Sequence, residues 1–258
     1  MNKQVRLNKA LSMIGICSRR DAEKLIATGQ VSVNGQKVPE LGSRICVGDT
    51  IQICDKQYVF NIRKQTKIWL YYKPVGIITS HRDDRGRRTV FDEVKSKINE
   101  RVISVGRLDI NSEGLLLLTN DSDFARRAES PQTGWKRHYK VRAFGEISDE
   151  KLSTMRQGVT IRGIRYAPME IEMLKASSGR NHWFKCVLSE GKNREIRKIF
   201  DHFGLSVNRL IRTQYGDFSI TNDMKPGDVV MVKVTDHQPQ AISSPSSGLP
   251  KDKTRILL

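Results

Sequence analysis

Apolar positions follow two rhythms along this chain. In the first, Leu7, Ala10, Leu11 and Ile14 recur three and four residues apart, on one face of a helix that Gly15 ends. Ser18 fits an N-cap with Asp21 three residues on, and Ala22, Leu25 and Ile26 form the buried stripe of a second helix that stops at Gly29. Residues 31–38 alternate about Asn34-Gly35, a pair suited to a type I′ hairpin turn, and another short strand is expected at 50–53. From residue 68 strands dominate. The apolar runs at 68–72, 102–105 and 115–118 are too short for helices and read as buried strands. Extended chain resumes at 77–80, and further strands are expected at 137–144, 158–161, 169–173, 183–188, 217–220 and 229–234. Helical spacing returns only at 124–128, 148–156 and 196–203.

Charge narrows the partners. Forty-five Lys and Arg against 28 Asp and Glu leave a formal net charge of +17, which points to a polyanion. No apolar segment has the length that crosses a bilayer, and the first residues are polar rather than a signal peptide, so a cytoplasmic protein without membrane contact is expected. Cys17, Cys46, Cys54 and Cys186 lack zinc-type spacing and read as reduced thiols. In the first sixty residues Arg6, Lys9, Arg19, Arg20 and Lys24 cluster on the two helices. Arginines in a helix's first turn carry a small penalty that a bound phosphate would offset. A solvated basic face explains the same residues equally well from charge alone. The basic run 63–67 reads as linker, and the Pro-, Ser- and Gln-rich stretch from Asp236 as a disordered tail.

Candidate chemistry centres on Asp109. It stands in the stretch Gly106-Arg107-Leu108-Asp109-Ile110-Asn111-Ser112-Glu113-Gly114, between two buried strands, where a carboxylate is rigidly placed and glycine lets another chain approach closely. On pattern alone a turn-capping aspartate is the better account. Asp83-Asp84 and Asp121 with Asp123 could suggest a metal, but neither has further ligands at suitable spacing, and the second pair favours the first turn of the helix that follows. Tyr139, at the start of a strand, and Leu210 both suit core positions. Lys192, Asn193, Arg194 and Arg197 stud a helix start, again poorly placed unless an anion sits there.

The wording of these stretches carries more than their composition. Gly-Arg-Leu-Asp followed by Gly-Leu-Leu-Leu-Leu-Thr-Asn-Asp, Lys73-Pro74-Val75-Gly76, Gly191-Lys-Asn-Arg-Glu-Ile-Arg197 and Arg209-Leu210-Ile211-Arg212 resemble motifs of the RsuA/RluB/RluE/RluF family of ribosomal RNA pseudouridine synthases. Residues 5–38 resemble an S4-type RNA-binding domain. Ser122, where that family often has glycine, is a small departure.

The resemblance implies an α+β protein: an S4-like domain (1–60), a linker (61–67), a catalytic domain on a mainly antiparallel mixed sheet with flanking helices (68–235), and a tail (236–258). It implies that Asp109 is the catalytic carboxylate, that Tyr139 and Leu210 flank the target uracil, and that Arg197 pairs with Asp109. Arg107 is expected to enter the space a flipped nucleotide leaves. Lys73, Lys192, Asn193, Arg194, Arg212 and the S4-like cations are expected to bind RNA. No cofactor or metal is expected. Ribosomal RNA is the expected partner, most of all that of the large subunit, and the protein is expected to be a monomer. The rivals are a non-catalytic RNA-binding or ribosome-assembly protein and a small-subunit enzyme, with a metal-dependent nuclease disfavoured by its missing ligands.

Overall fold

The computed structural model of the chain describes residues 4–61, 65–176 and 180–232. Near the N-terminus, helices Leu7–Met13 and Arg19–Ala27 pack on a four-stranded sheet in the order Gln36–Lys37, Val31–Val33, Thr50–Ile53, Lys56–Val59. Leu7, Leu11, Ala22, Ile26, Val31, Ile51 and Phe60 are fully buried between them. The Ser18 side chain accepts from the Asp21 amide at 3.1 Å, as its cap position requires, and its hydroxyl donates to the Asp21 carboxylate at 2.6 Å. Asn34 and Gly35 take φ of 49° and 81°, both left-handed, as a type I′ turn demands. Strand Lys56–Val59 has no counterpart in the sequence pattern, because its side chains are mostly exposed and carry no apolar alternation.

Among the described residues the larger sheet has nine strands. Its main path runs Glu170–Ala176, Asn181–Leu188, Arg137–Phe144, Ser206–Tyr215, Glu113–Thr119, Ile68–Lys73, Val229–Val232, with Ile103–Val105 and Phe218–Ser219 pairing on its flanks. Every pairing is antiparallel except that of Ser206–Tyr215 with Glu113–Thr119. The fold is α+β on a mainly antiparallel mixed sheet. Strands Ile68–Lys73 and Glu113–Thr119 are buried at every residue because apolar layers cover both their faces, which is why their sequences read as continuous apolar runs. Toward the other end only one face is covered by described residues. Helices Asp149–Gln157 and Glu195–His202 lie there on Val141, Ala143, Phe184 and Leu210.

Some expectations change in detail. The 158–161 strand is the first arm of a small hairpin, Thr160–Ile161 with Ile164–Arg165. Chain 77–80 makes only one bridge, Ile78 with Thr89, and Thr89 opens an unexpected short helix, Val90–Val94, through a capping box with Asp92. Of the expected linker, Thr66 bonds Asp121 at 2.7 Å and the Lys67 amide bonds the Asn120 side chain at 3.0 Å, so this end is stitched to the larger sheet. Residues 62–64, the last of the expected 229–234 strand and the tail lie outside the described residues.

Candidate active site

The loop that carries Asp109 is fixed through its backbone. Each carbonyl from Leu108 to Ser112 accepts a hydrogen bond, in turn from the Thr79 hydroxyl (2.9 Å), the Ser112 amide (3.0 Å), the Gly76 amide (2.8 Å), the Arg197 guanidinium (2.7 Å) and the Lys73 ammonium (2.9 Å). The Thr79 hydroxyl also accepts from the Leu108 amide at 3.3 Å, and Glu129 accepts from the Gly106 amide at 2.7 Å. A loop so satisfied has little freedom, and the Asp109 side chain, 32% exposed, is presented to solvent from a rigid base. At its other end, Gly114 has φ 100°, and a Cβ there would stand 2.3 Å from the Arg212 carbonyl oxygen. That close approach makes the one parallel pairing.

Arg194, not Arg197, meets the carboxylate: its Nη1 lies 3.3 Å from Asp109 Oδ2. Arg194 caps helix Glu195–His202 with φ 52° and ψ 35°, a left-handed conformation that costs a non-glycine residue of the order of 1 kcal/mol. The turn is held from below. The Glu195 carboxyl reaches back to the Lys192 amide at 3.0 Å, and Glu190 accepts from the Ala167 amide at 2.7 Å while pairing with the Lys192 ammonium. Burial, aided by Glu190 beside it, pushes the Glu195 carboxyl up to about 7. Glu190 goes the other way: burial opposes its charge, but the Ala167 amide and Lys192 outweigh it.

Arg197 does not make the expected pair. Its guanidinium donates to the carbonyls of Val207 (2.8 Å) and Asn111 (2.7 Å), so it splints the Asp109 loop to the strand behind. Lys73 is fully buried and donates to Pro74 and Ser112 carbonyls, each at 2.9 Å, so it cannot reach an RNA phosphate. Burial pulls its ammonium down to about 8, against the opposing pull of Asp109 and Glu113. Arg212 is likewise buried, donating to the Leu115 carbonyl at 2.7 Å and lying over the Tyr215 ring, whose other neighbour is Arg137. Both cations serve the scaffold.

Tyr139 and Leu210 lie on adjacent strands, opposite Arg212 and Val141, and belong to one apolar cluster with Ile196 of the helix that follows Arg194. Arg107 is exposed and has no hydrogen-bond or ion-pair partner among the described residues. Lys192 and Asn193 are exposed beside Arg194. On the S4-like part, Arg6, Arg19, Arg20 and Lys24 are exposed, whereas Lys9 pairs with Asp123 of the larger part at 3.1 Å. Asp121 caps helix Ser122–Glu129, and Asp83 is closed off by Arg87 at 2.6 Å. Among the described residues no group of three or more His, Cys, Asp or Glu could hold a metal, and no helix is long and apolar enough to cross a membrane. Sequence reasoning misses the roles of Thr79 and Glu195. The one signal, for Glu195 alone, is a carboxylate three residues after Lys192.

A basic helical module joined to a mixed sheet that presents one rigidly held carboxylate has the build of an RNA-modifying enzyme. The profile of the RNA pseudouridylate synthase family matches residues 67–202, and that of the S4 domain residues 5–51. An uncharacterized RNA pseudouridine synthase of Rickettsia felis is 50% identical over 222 residues, covering 86% of this chain and 94% of that protein. Ribosomal large subunit pseudouridine synthase B of Escherichia coli (strain K12) is 37% identical over 228 residues, covering 86% and 77%. A crystal structure of a pseudouridylate synthase shares the fold, with a TM-score of 0.63 at 23% identity over 89% of this chain and 96% of that one. The chain belongs to the RNA pseudouridine synthase family, in its S4-bearing group, and is an enzyme of that kind.

Proposed function

We propose that the chain converts uridine to pseudouridine at a defined position of large-subunit ribosomal RNA, working as a cytoplasmic monomer. The observation that carries this reading is the Asp109 loop, with a donor on every carbonyl from Leu108 to Ser112 and the carboxylate left facing solvent. The preference for large-subunit RNA rests on the relative named for it.

The reaction breaks the bond from uracil N1 to ribose, turns the ring and rejoins it through C5. The C5 proton is lost and N1 gains one, so redox state and composition are unchanged. Asp109 acts on the ribose side of that bond or on its proton. Tyr139 and Leu210 flank the base, which requires their cluster to part for it, since they are only 9% and 7% exposed. Extruding the base costs a few kcal/mol, to be met by stacking and backbone contacts. Arg107, free and exposed two residues before Asp109, enters the vacated place in the RNA. Arg194 orients the carboxylate, and Arg197 holds its loop. Lys192, Asn193, Arg6, Arg19, Arg20 and Lys24 meet phosphate.

Pseudouridine mapping of bacterial large- and small-subunit rRNA, incubated with wild type and with Asp109→Asn, tests this. A single large-subunit uridine converted by wild type alone is expected. Conversion of small-subunit RNA instead would overturn the choice of substrate, and conversion by both proteins would overturn Asp109. RNA bound but never converted would favour a docking protein.

A further inference from the structure

Among the described residues, one stretch of the large sheet has no layer over it. Along strand Arg137–Phe144 burial alternates residue by residue: Tyr139, Val141 and Ala143 point into the apolar cluster under helix Glu195–His202, and Lys140, Arg142 and Phe144 point the other way and are exposed. Arg194 and Arg197 belong to that helix and its cap, so the Asp109 loop is served from the covered face. The open face is a different surface.

Its register is unfavourable. Lys140 stands directly opposite Lys185, and Arg142 stands between Trp183 on one neighbour and Arg209 on the other. Like charges directly opposite on adjacent strands are destabilising. Nearby acids relieve them only in part: Glu113 is taken by Arg209 at 2.6 Å, Glu170 attracts Lys185 but is paired with Lys136 at 2.6 Å, and Glu172, opposite Lys185, makes no ion pair with it. Lys140, Arg142 and Lys185 have no hydrogen-bond or ion-pair partner among the described residues. Beside them Phe144 is 46% exposed and Trp183 half-buried.

We infer that this open face is a second RNA-binding surface, on which Lys140, Arg142 and Lys185 hold the phosphate backbone of a segment remote from the target uridine. Trp183 and Phe144 offer rings on which unpaired bases stack. Charge complementarity selects the occupant: unneutralised cations in a repulsive register are relieved by a chain of phosphates. This rests on an RNA substrate as proposed above. Because the face lies behind the sheet, a short hairpin seated at Asp109 does not reach it, and a longer RNA does.

The test measures binding rather than conversion, so a failure of catalysis and a failure of this surface are read separately. The full chain and its Lys140→Gln/Arg142→Gln/Lys185→Gln variant are titrated, across a salt series, with a short hairpin and with a transcript of a whole large-subunit rRNA domain. On the long transcript the variant is expected to bind about tenfold more weakly near physiological salt, with the slope of log affinity against log salt reduced by about two units. Hairpin affinity is expected to stay within about twofold, and Tm to hold or rise as the like-charge pairs go. Lys140→Glu, which gives Lys185 a partner, should also weaken long-RNA binding while keeping the fold. An unchanged slope on the long transcript, an equal loss on both RNAs, or wild-type binding by Lys140→Glu would overturn the proposal. An unchanged slope would leave this face to an acidic protein partner.

Discussion

Arg194 and Arg197 stand three residues apart and have opposite uses. Arg194 meets Asp109 from a strained left-handed backbone, whereas Arg197 bonds two carbonyls. Arg194→Gly should therefore hold or gain stability, by up to about 1 kcal/mol, because glycine takes that conformation without strain. Its single-turnover rate should fall sharply. Arg197→Met should lose about 1.5–3 kcal/mol in denaturant unfolding, since two hydrogen bonds from a charged donor are lost. Equal loss of stability in both variants would refute the division. Glu195 adds a pH dependence at the same turn. Its carboxyl, raised to about 7 by burial, keeps its proton in the folded state between roughly pH 4.5 and 7, where an unfolded glutamate has lost it. That contribution is whole below pH 4.5 and lost as pH rises through 7. Relative to wild type, Glu195→Gln should gain Tm progressively across this window and no further above it. A Tm difference flat with pH would show that Glu195 is ionised throughout.

Among the elements, the parallel pairing of Ser206–Tyr215 with Glu113–Thr119 joins the half of the sheet beneath the Asp109 loop to the half that bears Tyr139 and Leu210. It exists because Gly114 has no side chain. Gly114→Ala must move the Arg212 backbone and strain its own φ of 100°, so a loss of at least about 2 kcal/mol is expected by chemical denaturation. Wild-type stability would mean that the strands can part without cost. The glycine was legible in the sequence as a place of close approach, as were most strands of the core, whose apolar runs or alternation follow from two covered faces or one; Ser206–Tyr215, rich in charged and polar residues, carried only its motif wording. Strand Lys56–Val59 was not, since an exposed edge needs no apolar pattern, and helix Val90–Val94 hid behind a capping box in a charged stretch that reads as loop. At the site, motif wording led to Asp109. It could not say which arginine would touch it, because that depends on one residue's left-handed turn. Nor could it tell a phosphate-binding lysine from Lys73, buried under a loop contributed from 39 residues away.

At the scale of the whole molecule, the S4-like part and the larger sheet meet through polar contacts. Lys9 pairs with Asp123 at 3.1 Å, Arg82 with Asp21 at 2.7 Å, and Arg101 donates to Ser12 at 3.3 Å. No apolar cluster among the described residues contains members of both parts. The ion pairs are partly exposed, 32% and 34% for the first and 69% and 34% for the second, so solvent screens both and each contributes little. A contact of this kind is sensitive to ionic strength, because the screening length falls from about 10 Å at 0.1 M salt to about 3 Å at 1 M. RNA acts on it too, for Lys9 and Arg82 are cations that phosphate also neutralises. The radius of gyration from small-angle scattering is therefore expected to rise with salt, and Asp123→Ala to raise it already at low salt. That variant releases Lys9 for phosphate and should bind RNA slightly more tightly, with a steeper salt slope. A radius constant across salt and unaltered by Asp123→Ala would mean that the two parts are held by something other than these pairs, and Lys9 would then be an interface residue alone.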